Sequence, residues 1–196
     1  MSGHGRSPGD VLLHRNGSQI GVVKVASHPP WKPTGDYSCC GYIDVALAKL
    51  DKQDGYIGQV FCDDHGPLHL VEQPSEAVEG MNVRCFAANG NRGEVDSTAY
   101  IRHDEALKTD WRYISVRNGE GGPIHDEGES GILIVHDAPD KGSVEAVGML
   151  VGIEEMPLDD ECETTRRTSL AVPLTTSFKT LQKTDYCKER TIKFIH

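Results

Sequence analysis

Ser130 sits in the stretch "HDEGESGILIV", His125 to Val135, framed by Gly128 and Gly131 and followed by four apolar residues, Ile132 to Val135. One glycine satisfies most turns, so two around a serine indicate a backbone bent to present a hydroxyl. A hydroxyl becomes nucleophilic when a base takes its proton, and a histidine base works best when a carboxylate fixes its tautomer. The candidate carboxylate is Asp44, which opens the otherwise apolar run "DVALAKL", where a lone charge is costly to bury without a partner. The candidate base is His4, in "SGHG". Together these residues would support acyl transfer.

A second constellation is Cys62, His65 and His69 in "CDDHGPLHL", with Asp63 and Asp64 beside them. Thiolate and imidazole suit zinc, but three ligands in a loop without a fourth read as solvated polar residues, and no metal or cofactor is expected. The acidic run Asp159, Asp160, Glu161 and Glu163 reads as a solvated loop. The six cysteines form no CxxC pair, so neither a zinc ribbon nor a redox motif is present; disulfides are permitted without being required.

The elements that must position these residues are mostly strands. "VLLHR" and "QIGVVKVA" flank Asn16-Gly17, a two-residue hairpin signal, and "YIDVALAKL" is a third strand. Residues 51–80 are rich in Gly, Pro and acids and read as a connection. Beyond them come "MNVRCFAA", "GEVDSTAYIR", "DWRYISVR", "GILIVHD", "SVEAVGMLVGI" and "TSLAVPL", six strands divided by turn signals. In "EVDSTAYIR" the alternation puts Val95, Ser97, Ala99 and Ile101 on one face and Glu94, Asp96, Thr98 and Tyr100 on the other. Six strands at this spacing suggest a closed antiparallel barrel, which removes sheet edges. "TTSFKTLQK", after Pro173, reads as a short terminal helix.

Three segments in this order, "SGHG", "IDVALAKL" and "GESG", resemble the histidine, aspartate and serine motifs of chymotrypsin-like (trypsin-like) serine proteases. The run "GDVLLHRNGSQIGVVKVASHP" is similar to the stretch after the histidine in the streptogrisin-type bacterial branch. "GMLVGI" falls where that family has the strand along which substrate lies, and "LAVPL" where it has the last strand before the C-terminal helix. The resemblance implies an all-β fold of two antiparallel β-barrels. It implies a serine endopeptidase in which Ser130 is the nucleophile, His4 the general base and then acid, and Asp44 the residue that orients His4. The amides of Gly128 and Ser130 would form the oxyanion hole. Glu129 replaces the family's Asp before the serine, and Gly5 replaces the cysteine that usually follows the histidine.

The family places about three strands ahead of its histidine. Here only three residues precede His4. The expectation is therefore a partial N-terminal barrel with its connection at 1–75, a C-terminal barrel at 76–185 and a tail at 186–196, in a fragment or truncated product. Only 11–15, 19–26 and 43–50 read as strands of the first barrel, and unpaired edges recruit other strands. Self-association through those edges is expected unless another segment fills the gap, for which "RTIKFIH", Arg190 to His196, is the candidate.

Bulk properties narrow the partners. The net charge is −10 with acids spread along the chain, which disfavours nucleic acid and anionic membranes and leaves peptides or proteins as substrates. No signal peptide or membrane span is legible, so the expectation is intracellular if Met1 is the true start. Ile124 or His125 is expected near the base of the specificity pocket, and neither offers a carboxylate to select Lys or Arg. The rival function is a non-catalytic homologue that binds a protein partner through the same cleft.

Overall fold

The computed structural model describes residues 7–13, 16–27, 45–50, 61–63, 66–85, 91–104, 109–157, 165–192 and 194. The strands are β1 (Val11–Leu13), β2 (Gln19–Ser27), β3 (Val45–Leu50), β4 (Phe61–Asp63), β5 (Gly66–Leu70), β6 (Asn82–Cys85), β7 (Arg92–Asp104), β8 (Thr109–Arg117), β9 (Leu133–Asp137), β10 (Ser143–Pro157) and β11 (Thr165–Pro173). One helix follows, α1 (Leu174–Gln182).

The second half forms the expected barrel. Strands run in the order β11-β8-β7-β6-β9-β10, and β10 pairs back onto β11, so these six strands close into a ring with antiparallel neighbours. Its interior holds Val83, Val95, Ile114, Val116, Ile134, Val147, Leu150 and Ala171, all buried. Branched side chains suit this lining because they pack on a pleated surface with little rotamer freedom to lose. The predicted face of "EVDSTAYIR" is not kept. Register shifts between Val95 and Ser97 and between Ser97 and Tyr100 re-aim the strand, so Val95 is buried while Ile101 is 52% exposed.

Residues 51–80 are more than a connection. They contain β4 and β5, and β5 pairs in parallel with β10 through His69 and Leu70 opposite Ser143 and Val144. Short strands interrupted by Gly and Pro gave no periodic signal, yet Leu70 is buried and Leu68 half-buried against the core of the second half.

Among the described residues the first half is a sheet of three strands, β1-β2-β3, rather than a closed barrel. The last paired residues of its first hairpin are Leu13 and Gln19, a longer connection than the expected two-residue turn. Gly17 has φ +84° there, and Asn16 Oδ1 accepts the Ser18 amide at 3.0 Å. Leu12, Val23, Ala26 and Ala46 form its own small core. Val25 and Val45 instead join a cluster with Leu70, Val135, Met149, Val172, Leu174 and Leu181, which ties the sheet to the barrel and to α1.

Pro173 precedes the first turn of α1, where its fixed φ suits a helix start. The described part of the tail packs here. The Phe194 amide donates to Glu72 O at 2.9 Å, and the Phe194 ring lies 5.2 Å from that of Phe178 on α1. This places Ile192 and Phe194 against the core that the two halves share.

Candidate active site

Ser130 is exposed in the loop that links β8 to β9, at the end of a turn braced by Glu129. The Glu129 carboxylate accepts the Asp126 amide at 2.9 Å, while the Glu129 amide donates to Asp126 O at 3.3 Å. A glutamate reaching back three residues closes a turn in the manner of a capping box, a reach that the extra methylene supplies. The glutamate that departs from the family pattern is thus a brace of the serine turn.

Gly128 has φ +92° and Gly131 φ +93°. An L side chain is strained at such angles, so both glycines on either side of Glu129-Ser130 are required by backbone conformation. The amides alternate in their use. Those of Glu129 and Gly131 donate to Asp126 O and Leu150 O, whereas among the described residues those of Gly128 and Ser130 meet no backbone acceptor. Two such donors close to an exposed hydroxyl can serve a developing oxyanion.

The Ser130 hydroxyl donates to Val151 O at 3.1 Å. Val151 lies at an irregularity in the β10–β11 pairing, between Leu150 and Gly152, where the strand turns a carbonyl out of the ladder. On the other edge of β10 the Leu150 amide donates to Ile132 O and its carbonyl accepts the Gly131 amide, and beyond Leu150 the strand pairs only with β11 among the described residues.

Behind this turn sits a buried polar pair. His125 is 3% exposed, and its Nδ1 lies 2.7 Å from Ser169 Oγ on β11. The same oxygen accepts the Ile124 amide at 2.9 Å, and the Cys85 thiol donates to Ile124 O at 3.1 Å. Burial holds the His125 imidazole below its ordinary range, with Glu129 and then Asp126 opposing the shift. Ile124 is fully buried in the barrel core, and the hydroxyl partner of the adjacent His125 is a contact that sequence reasoning missed. Its signal was present in "TSLAVPL": a buried serine in an otherwise apolar strand needs a hydrogen-bond partner.

His4 and Asp44 lie outside the described residues, as does His65; His69 lies on β5 and Cys62 on β4. Among the described residues no group of three or more His, Cys, Asp or Glu is placed to hold a metal ion. None of their helices is long and apolar enough to cross a membrane. Cys85 and Cys187 are buried and form no disulfide.

No protein-family model matches the sequence, and no curated protein matches it. Solved structures do. One is a glutamic acid specific serine protease that utilizes a novel histidine triad in substrate binding; it shares 14% identity, with a TM-score of 0.55 over 86% of this chain and 74% of that one. At that identity the likeness speaks to architecture, and it agrees with the closed ring, the second sheet and the terminal helix. The chain has a chymotrypsin-like serine protease fold.

Proposed function

We propose that this protein is a serine peptidase that hydrolyses peptide bonds by acyl transfer. Ser130 Oγ attacks the scissile carbonyl carbon as His4 takes its proton, and Asp44 holds the imidazole and stabilises its cation. The tetrahedral oxyanion is met by the Gly128 and Ser130 amides. The C–N bond breaks as His4 returns the proton to the leaving amine, and water then releases the acyl group from Ser130 by the same route. The observation that supports this reading most is an exposed serine between two left-handed glycines, on a chymotrypsin-like fold, with two amides that no backbone carbonyl of the described residues takes.

A second reading has its own observation. The Ser130 hydroxyl donates to Val151 O, a contact that catalysis must exchange for the base. A non-catalytic homologue that binds a protein partner in the same cleft would keep it. Peptide hydrolysis across pH separates the two readings. A peptidase loses activity as pH falls through an imidazole pKa of about 6.5, because a protonated ring accepts no proton, and His4→Ala abolishes turnover. Activity that survives His4→Ala would transfer the role to another base, such as His14 or His28. No turnover at any pH would favour the binding module.

A further inference from the structure

We propose that the tail residues Ile192 and Phe194 form a strap that holds the β1–β3 sheet against the ring, in a seat that takes the same peptide from outside when the tail is removed. Docking of the two halves in turn governs Ser130, a step that rests on the peptidase reading above. Among the described residues no strand of the first sheet pairs with a strand of the ring, so the halves meet through side chains. Val25 and Val45 are the sheet's buried share of the common cluster, and Leu47 packs against it. The sheet's own core is only Leu12, Val23, Ala26 and Ala46, and a small sheet gains its stability by laying an apolar face on another element. Whatever completes the common cluster therefore decides whether the sheet stays docked.

A braced turn delivers the tail to that cluster. Gln182 Nε2 donates to Cys187 O at 2.6 Å and to Arg190 O at 2.7 Å, which uses both carboxamide protons, and the Arg190 amide donates to Cys187 O at 2.8 Å. Arg190 Cζ lies 4.3 Å from the centre of the Tyr186 ring. Past this turn Thr191 is exposed, and the chain then runs beside Glu72 and Gln73.

The seat belongs to the ring, because the Val71 amide donates to Val144 O at 2.9 Å and the Ser75 amide to Ala146 O at 3.0 Å, both on β10. On this seat Glu72 O accepts the Phe194 amide, and Gln73 Nε2 donates to Ile192 O at 3.4 Å. Ile192 and Phe194 are two residues apart, the spacing of one face of an extended chain, and both pack against the common cluster. The Phe194 ring is tilted at 46° to that of Phe178. Main-chain hydrogen bonds with apolar side chains at alternate positions are also how separate peptides are captured. The strap is thus held by contacts that a detached peptide can reproduce.

Hydrogen exchange on the full-length protein, its Phe194→Ala variant and a variant stopped after Arg190 tests this. Loss of the strap should speed exchange of the β2 and β3 amides about tenfold or more and leave those of β8, β10 and β11 unchanged, because local opening follows the weaker unit. The peptide Thr191–His196, added at millimolar concentration to the shortened variant, should restore protection, and the same peptide carrying Phe194→Ala should not. Fluorophosphonate labelling of Ser130 should slow about tenfold or more in both variants, since misplaced catalytic groups lose their effective concentration. Phe194→Ala keeps the test decisive should the shortened chain fail to fold. Unchanged exchange in β2 and β3 would overturn the strap, and so would an equal rise in the ring, which would make the tail ordinary core packing. Protection that the added peptide does not restore would overturn the seat as a binding site. Faster exchange with unaltered labelling would overturn the link from docking to Ser130. Faster exchange in a protein whose wild type never labels at Ser130 would leave the strap standing and overturn the peptidase reading.

Discussion

The two halves of this molecule solve the problem of sheet edges differently. The ring β6–β11 returns on itself, and Val116, Val135, Val144, Leu150, Ala171 and Val172 within it are fully buried. The sheet β1-β2-β3 ends, among the described residues, on a three-residue strand whose Val11 and Leu13 are 46% and 61% exposed. Its own core is four residues, two of them alanine. Closure supplies a rigid support, and the exposed serine, its glycine turn and the His125–Ser169 pair are all built on it. The residues proposed to activate that serine belong to the other half. On the proposed reading the barrel fixes where the chemistry occurs, and proton transfer is assigned to His4 and Asp44 from the first half of the sequence.

Core truncation should separate the halves most. Leu150→Ala should cost about 2–5 kcal/mol, since the ring cannot collapse around the cavity, whereas Leu13→Ala should stay within about 0.5 kcal/mol because the side chain is already in water. Urea unfolding of both variants measures the gap. Equal losses would mean that β1 is buried by something that the described residues do not include.

A smaller loss is expected at Gly93. A Cβ there would meet Arg117 O at 2.3 Å and Ile124 Cγ2 at 2.5 Å, so Gly93→Ala must push the β8 backbone or the residue beside His125. A cost of about 1–3 kcal/mol is expected from overpacking, together with reduced peptide turnover. Loss of stability with unaltered turnover would uncouple Ile124 from the site.

The smallest effect is the pH dependence from His125. Its folded pKa is lowered, so the unfolded chain binds the proton more readily. Stability is full above about pH 6.5, the unfolded value, and declines as pH falls from there toward the folded value, below which this contribution is constant. His125→Asn should flatten that slope in thermal melts between pH 7.5 and 5.5. An unchanged slope would assign it to other groups.

Much of the ring was legible because its strands are long, apolar and separated by turn signals, and because "GILIV" follows the serine directly. The face of β7 was not, since alternation assumes a regular ladder and the two register shifts after Val95 break it. β4 and β5 were hidden because segments of three and five residues carrying Gly, Pro and His are too short to show a period. Within the site, Ser130 and its glycines were visible as a local pattern that turn chemistry demands. Ser169 was not assigned, because its partner lies 44 residues away and only the fold brings β11 to the serine loop. The role of Glu129 was hidden for another reason: a side chain that reaches back to Asp126 is indistinguishable in sequence from a solvated acid.

The central claim is that Ser130 is an activated nucleophile, and an active-site fluorophosphonate reads this directly. The protein should be labelled at Ser130 alone, far faster than any other serine, and Ser130→Ala should lose the label while retaining the wild-type spectrum and melting transition. A folded wild-type protein that stays unlabelled, or one labelled equally after Ser130→Ala, would contradict the account.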